Sequence, residues 1–137
     1  MFVLDTNVLS ELRRPRPHGG VVNWLEALPE DQIFISAVTL GELQRGVELL
    51  RAEDSLKAAA IDAWIDLVIG TYTVLPMDAK TFRAHAQLMH RRPYHIFEDA
   101  MIAATAQVLG YTVATRDTSD FAKLGVKTFN PFKGGQT

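Results

Sequence analysis

Phe2-Val3-Leu4-Asp5-Thr6-Asn7 follows the initial methionine and predicts a strand together with the turn that ends it. A brief apolar run that stops at an acid and at turn-forming residues is typical of a buried strand. An acid at the end of such a strand is costly to place unless it is paired or hydrogen-bonded. Asp5 is therefore a candidate functional carboxylate.

Strand and helix signals alternate along the rest of the chain. Apolar runs predict four further strands, the last at an edge of the sheet: Ile33–Ile35, Tyr72–Leu75, Tyr111–Thr115 and Val126–Phe129. Helices are predicted over Val8–Arg14, Val21–Leu25, Ala37–Leu50, Leu56–Ile69, Asp78–Met89 and Ala100–Leu109, with a short turn at Phe121. Strands separated by helices imply parallel crossovers, so we expect an α/β fold with a parallel sheet flanked by helices on both faces.

The helical periodicity also predicts which side chains face the core. In the 56–69 helix we expect these to be Ala60, Ala63, Trp64, Leu67 and Val68, with Gly70 as the C-cap. In the helix capped by Asp78 they are Phe82, Ala86 and Met89. Trp24 is likewise interpreted as a core residue.

Size and cysteine content restrict the class of protein. The 137 residues, 47% of them hydrophobic, suffice for one domain, which we place at residues 1–132 with a flexible tail over 133–137. The sequence contains no cysteine, which excludes disulfides, zinc ribbons and thiol catalysis.

Charge and hydropathy narrow the choice further. The formal net charge of −2 argues against binding nucleic acid by bulk charge alone, although a local basic patch stays open. No apolar run is long enough to cross a bilayer and no signal peptide is recognisable, so we expect a cytoplasmic protein.

Four carboxylates from distant parts of the sequence are expected at one edge of the sheet. Asp5 ends the first strand, and Asp117 follows the strand that ends at Thr115. Asp99 opens the helix that leads into that strand, while Glu42 lies within two turns of the start of its helix. In open α/β sheets, ligands bind beyond the carboxyl ends of the strands.

Carboxylates held close together repel one another unless a cation joins them. Oxygen ligands of this kind select Mg²⁺ or Mn²⁺, which activate water and stabilise charge on phosphate oxygens. The sequence contains no HExxH, P-loop or GxSxG pattern. Metal-assisted phosphodiester hydrolysis is the chemistry that these acids suit best.

Each acid also has a purely structural interpretation. Asp99 could answer the helix dipole, as we expect Asp78 to do, and Glu42 could be an ordinary solvated helix residue. Asp117 and Asp120 could simply initiate turns. The shared edge carries more weight than any single acid.

The other polar residues give weaker signals. The four histidines (His18, His85, His90 and His95) show no metal-ligand spacing and are interpreted as surface or packing residues. The arginines at positions 13, 14, 16, 91 and 92 are candidates for phosphate contacts, with solvated charge as the alternative.

Ordered motifs along almost the whole chain resemble PIN-domain toxins of the VapC type, in their FitB-like branch. The matching segments are Met1–Leu12, Ser36–Leu43, Asp99–Ala106, Thr115–Asp117 with Asp120-Phe121, and Asn130–Phe132. The resemblance implies a Mg²⁺- or Mn²⁺-dependent endoribonuclease that is the toxin of a type II toxin–antitoxin system.

The resemblance also implies site residues and partners. Asp5, Glu42, Asp99 and Asp117 would be catalytic, and Asp5, Asp99 and Asp117 would bind metal. Thr6, Asn7, Thr115 and Asp120 would support them, and whether Asp117 or Asp120 is the closer ligand stays open. Glu98 should point away on its helix. The implied partners are RNA, a VapB-type antitoxin and a second copy of the chain, in a homodimer that can join a larger assembly.

Two other functions compete with RNA cleavage. The chain could be a non-catalytic partner or co-repressor that forms a DNA-binding complex with its antitoxin, with the acidic pocket as a docking site. A phosphatase of the haloacid-dehalogenase type also has an acid after its first strand. It requires a second Asp two residues later, where this chain has Asn7.

Overall fold

The computed structural model describes residues 1–133 and contains a parallel sheet of short strands. In chain order the strands are β1 (Phe2–Leu4), β2 (Ile33–Ser36), β3 (Thr73–Leu75), β4 (Thr112–Ala114) and β5 (Thr128–Phe129). They lie in the order β3-β2-β1-β4-β5, and every neighbouring pair is parallel. The predicted parallel sheet, with the last strand at an edge, is confirmed.

Helices connect these strands. They are α1 (Thr6–Glu11), α2 (Gly19–Glu26), α3 (Ala37–Arg51), α4 (Ser55–Thr71), α5 (Ala79–Met89), α6 (Phe97–Leu109) and α7 (Thr118–Lys123). The predicted cap Asp78 is confirmed, and Ser36 and Gly110 cap two further helices. The Ser36 and Asp78 side chains accept from backbone N–H groups at the starts of α3 and α5, and Gly110 ends α6 with a left-handed φ of 71°.

The core lies on both faces of the sheet because successive strand residues point to opposite sides. Val3 and Val113 pack on one face, against α6 and the buried Phe121 of α7. Leu4 and Ala114 pack on the other, against α1, α2 and Val68 of α4. Both central strands are therefore buried on both faces, as the predicted helix-covered sheet requires.

The order of the strands places a crevice between β1 and β4. The chain builds β1, β2 and β3 outward in one direction, then returns through α5 and α6 to add β4 on the other side of β1. The connections that leave β1 and β4 therefore diverge at the carboxyl ends of these strands. Such a switch point is the usual ligand site of an open α/β sheet.

The buried face of α4 differs from the one that periodicity predicted. Ala58, Ile65 and Val68 are buried and Trp64 is half-buried. An exposed apolar stripe runs along the opposite side; its members are Leu56, Ala60, Ala63 and Leu67, and we call it the outer stripe. Because α4 is apolar on two sides, its sequence could not show which one faces the core. The helix also runs past Gly70 to Thr71, so Tyr72 is its C-cap and not the start of β3.

The buried face of α5 is also shifted, by one residue. Thr81, His85 and Leu88 are buried, whereas Phe82 is 47% exposed and Ala86 is exposed. His85 is a packing residue, as predicted, because its Nε2 lies 3.0 Å from the Phe97 carbonyl oxygen. That polar contact lets an imidazole occupy a position where the pattern favoured an apolar residue.

The end of the chain is described only in part. Lys133 belongs to a 3₁₀ turn, Pro131–Lys133, and the remainder of the predicted tail, residues 134–137, lies outside the described residues. In residues 1–133, no helix combines the length and the apolar character needed to span a membrane.

The Phe121 side chain should contribute far more to the free energy of unfolding than the Phe82 side chain. Phe121 is completely buried, so we expect Phe121→Ala to lower the free energy of unfolding by about 3–5 kcal/mol. Phe82→Ala, the matched control at an exposed site, should cost about 1 kcal/mol or less. Urea denaturation followed by circular dichroism measures both, and equal losses would contradict this packing.

Candidate active site

Asp5 lies at the carboxyl end of β1, where it ends the strand and caps α1. Its backbone N–H extends the β1–β4 ladder by donating to the Ala114 carbonyl oxygen at 2.9 Å. Its side chain is 5% exposed and accepts two hydrogen bonds, from the Thr6 N–H and from the Thr115 hydroxyl, each 2.8 Å long. The carboxylate is therefore buried and fixed in orientation between β1 and β4.

Thr115 joins Asp5 to the segment that follows β4. While its hydroxyl donates to Asp5, the same oxygen accepts from the Asp117 N–H at 2.9 Å. Asn7 completes the link from α1, since its amide donates to Asp117 Oδ2 at 3.1 Å and accepts from the Arg116 N–H at 3.4 Å. Side-chain hydrogen bonds thus join the connection that leaves β1 to the connection that leaves β4.

Glu42 approaches the same edge from α3. The Thr6 hydroxyl donates to Glu42 Oε1 at 3.3 Å, so Thr6 connects Glu42 to Asp5 through both its side chain and its backbone. Glu98 lies next to Glu42, which contradicts the expectation that it points away from the site. Its side chain remains 48% exposed and reaches Arg45 at 4.0 Å. Sequence missed Glu98 because its helical position beside Asp99 suggested the solvent side.

Asp99 reaches the edge from the first turn of α6. Its charge is repelled by Asp117, Asp120 and Glu98, and Asp99 in turn repels the charge of Asp5. Asp120, from α7, shares a cavity wall with Asp99. The structure therefore places the four predicted acids and Asp120 in one neighbourhood. Thr6, Asn7 and Thr115 link Asp5, Glu42 and Asp117 by hydrogen bonds, whereas Asp99 and Asp120 lie beside these acids without such a link in residues 1–133.

Burial and mutual repulsion disfavour the ionised form of these acids. Burial, opposed by the Thr115 hydrogen bond and reinforced by Asp99, raises the pKa of Asp5 from 3.8 to about 6. Burial and the neighbouring Glu98 raise the pKa of Glu42 from 4.5 to about 7. The pKa of Asp99 is also raised, first by burial and then by Asp117. A cation bound among these acids would relieve this repulsion.

The donor set fits Mg²⁺ or Mn²⁺ in an open site. All of the converging side chains offer carboxylate, amide or hydroxyl oxygen, which these ions prefer. In residues 1–133, no three acids or histidines already stand at metal-ligand spacing. Mg²⁺ is usually held by one or two carboxylates together with water and substrate phosphate, so it needs no complete protein cage.

Glu11 is a further buried acid, and it lies outside the cluster. Its carboxylate accepts from the His18 N–H at 2.9 Å and pairs with Arg14 at 3.4 Å. These contacts hold the connection between α1 and α2, so Glu11 has a structural role that the sequence analysis did not assign.

A family model for the PIN domain matches residues 2–127 of this chain. Toxin FitB of Neisseria gonorrhoeae is 38% identical over 96% of this chain and 99% of its own length. VapC ribonuclease Y4jK of Sinorhizobium fredii is 34% identical over 97% and 99%, respectively. The structure of FitAB bound to an IR36 DNA fragment superposes with a TM-score of 0.80 at 36% identity, covering 96% of each chain.

These matches span nearly the whole chain, and the superposition shows that the fold is shared. The chain belongs to the PIN-domain family, among its FitB- and VapC-type toxins.

Proposed function

We propose that this protein is the toxin of a type II toxin–antitoxin pair and that it hydrolyses RNA phosphodiester bonds as an endoribonuclease. The observation that carries the proposal is the convergence of Asp5, Glu42, Asp99 and Asp117 at the switch point of the sheet. The ribonuclease name of the Sinorhizobium relative supports the choice of RNA.

Asp5, Asp99 and Asp117 are the side chains that would hold Mg²⁺ or Mn²⁺. When bound, the ion would neutralise charge on the phosphate oxygens and favour ionisation of the attacking water. The protein contributes fixed ligand geometry, because the hydrogen bonds of Asp5 with Thr115 and of Asp117 with Asn7 prevent either carboxylate from turning away.

Glu42 is the group best placed to take the proton from the attacking water. Its pKa of about 7 lies near neutral pH, where a general base is most effective. The Thr6 hydroxyl donates to Glu42 Oε1 at 3.3 Å, and Glu98 lies beside the same carboxyl group. Thr6 therefore orients the base, and Asp120 adds negative charge at the far side of the cluster.

A DNA-binding complex is the second candidate function. The FitAB relative was solved on DNA, which favours a role for this chain within a repressor assembly. Such a role predicts binding of an antitoxin without metal-dependent turnover. It can also coexist with cleavage, so turnover is the property that separates the two candidates.

We assign the outer stripe of α4 to the antitoxin. Leu56 is 85% exposed and Leu67 67% exposed, and their separation of three turns puts them on one side of the helix. A contiguous exposed apolar surface of this kind marks a protein contact.

A separate aromatic cluster lies on α5, on α6 and on the connection between them, and it is available for the proposed homodimer. It includes the exposed side chains of Phe82 and Tyr94.

Asp99→Asn should abolish RNA cleavage without unfolding the protein, because it removes one proposed ligand and relieves repulsion. We expect a loss of about two orders of magnitude or more. RNA 5′ ends mapped after brief induction without antitoxin should show new ends with wild type only. Asp31→Asn, with the same charge change near the opposite edge of the sheet, is the control. Full cleavage by a folded Asp99→Asn variant would refute the assignment.

Stability without divalent cation should fall as pH rises. The folded protein holds protons on Asp5 and Glu42 that the unfolded chain releases, so stability that is full below the unfolded pKa values of 3.8 and 4.5 is lost as pH rises through the folded values of about 6 and about 7. In EDTA we expect Tm to drop by roughly 5 °C between about pH 5 and about pH 8. Mn²⁺ should restore it, and Asp5→Asn should flatten the slope. A Tm that rises over this range would contradict the pKa assignments.

Leu67→Glu should weaken antitoxin binding at least about tenfold while leaving Tm and RNA cleavage unchanged. The side chain is mostly exposed, so the new charge costs little in the free toxin but much in an apolar interface. Calorimetric titration with the cognate antitoxin measures the effect. Leu109→Glu, at an exposed site on α6, is the control, and unchanged affinity of Leu67→Glu would remove α4 from the interface.

A further inference from the structure

A cavity of about 320 Å³ adjoins the acidic cluster on the side of α7. Its walls come from the connection between α5 and α6, from the start of α6, and from α7. Asp99 lies in its wall and also belongs to the acidic cluster, so the cavity opens directly beside the proposed scissile phosphate. None of the proposed steps of hydrolysis uses this cavity.

The cavity has Asp99 and Asp120 on the side of the acidic cluster and combines basic groups with an apolar surface along its other walls. His95 and Lys123 are exposed side chains in its lining, and in residues 1–133 neither forms an ion pair. Ile96 and the buried Leu124 supply apolar wall. The Lys123 ammonium and the imidazole N–H of His95 are hydrogen-bond donors that suit a phosphate, and an apolar wall suits the face of a base, so a nucleotide matches both features.

Arg92 holds the walls of this cavity together. Its guanidinium donates to the Leu88 carbonyl oxygen at the end of α5 and to the Lys123 carbonyl oxygen of α7, the latter at 3.2 Å. These bonds join the α5–α6 connection to α7. The preceding residue, Arg91, has a φ of 60°, a conformation that non-glycine residues adopt at a cost. The walls are thus set before a ligand binds.

Size and position favour one nucleotide of single-stranded RNA. Pockets that take small ligands begin at about 300 Å³, which leaves room here for one nucleotide and not for a helix or a duplex. RNA is read by sequence mainly where its bases are unstacked and accessible. A strand with one phosphate at the acidic cluster would carry its neighbouring nucleotide to a site next to Asp99.

We propose that this cavity binds the nucleotide adjoining the scissile phosphate, with His95 and Lys123 contacting its phosphate and Arg92 acting as a positioning residue. The inference rests on the proposed ribonuclease function and adds a specificity subsite to it. The preference for a particular base beside the cut is then set by the α5–α6 connection and α7.

Cleavage of a randomised 30-nucleotide RNA pool tests the subsite. His95→Ala and Lys123→Ala should each lower kcat/KM about tenfold, mainly through KM, because each removes a hydrogen-bond donor to the phosphate of the bound substrate. Sequencing of the product ends should show that base preference relaxes at one position next to the cut and at no other. His90→Ala and Lys127→Ala, which match these charge changes outside the cavity, should behave like wild type.

Three outcomes would overturn the subsite. One is an unchanged cleavage rate and base preference in both His95→Ala and Lys123→Ala. Another is a relaxed base preference in Lys57→Ala, which alters a separate basic cavity beside Glu42. The third is weakened antitoxin binding with unchanged cleavage, which would make the cavity a protein-docking site. A wild-type protein that cuts no RNA would instead refute the ribonuclease proposal itself.

A binding measurement keeps the subsite testable without turnover. Titration of the wild-type protein in Mg²⁺ with nucleoside 5′-monophosphates should shift the His95 ring signals in NMR spectra and leave those of His90 in place. Lys123→Ala should remove the shift. No shift of His95 at millimolar nucleotide would overturn the proposal independently of any cleavage result.

Discussion

The burial of the Asp5 carboxylate between β1 and β4 is the constraint on which the rest of the site depends. Removing a carboxylate from water is unfavourable unless hydrogen bonds or a cation compensate it. The Thr115 hydroxyl and the Thr6 N–H supply part of that compensation, and the Thr115 bond also ties β1 to the end of β4. The remaining charge, increased by Asp99 and Asp117, is the charge that the proposed cation would neutralise.

Hydrogen bonding makes one unit of residues that come from three segments of the chain. Thr6 links Asp5 to Glu42, Thr115 links Asp5 to Asp117, and Asn7 closes the connection from α1. Small polar residues at these positions therefore do more than end a strand. They set the directions in which the carboxylates point, and a ligand set fixed in this way loses little entropy when it binds an ion.

The parallel sheet and its acidic edge could be predicted from sequence because both depend on local signals. Asp5 directly follows an apolar run, and Asp99 and Gly110 mark the two ends of α6. The faces of α4 and α5 could not be predicted, because Leu67 and Phe82 are apolar residues that face solvent. Exposed apolar residues follow periodicity as well as buried ones do, and only the packing of neighbouring elements separates them.

The sequence also could not predict which residues from different helices lie close together. Glu98 approaches Glu42 because α3 and α6 pack together. The cavity beside α7 is lined by Arg92 and Lys123, which are 31 residues apart in the sequence and are joined by a hydrogen bond. The acids whose proximity could be predicted lie at the carboxyl ends of the strands. In open α/β sheets the residues at these strand ends form the ligand site, which gives a rule for predicting them. Contacts between helices follow no rule as simple.

We propose that the excess negative charge at the β1–β4 crevice constitutes a divalent-cation site. Calorimetric titration of Mn²⁺ at about pH 6.5, in two buffers of different ionisation enthalpy, tests it most directly. We predict binding accompanied by proton release, because Asp5 and Glu42 are partly protonated at that pH and must ionise to accept the ion. Binding without proton release, or no binding at all, would contradict the claim.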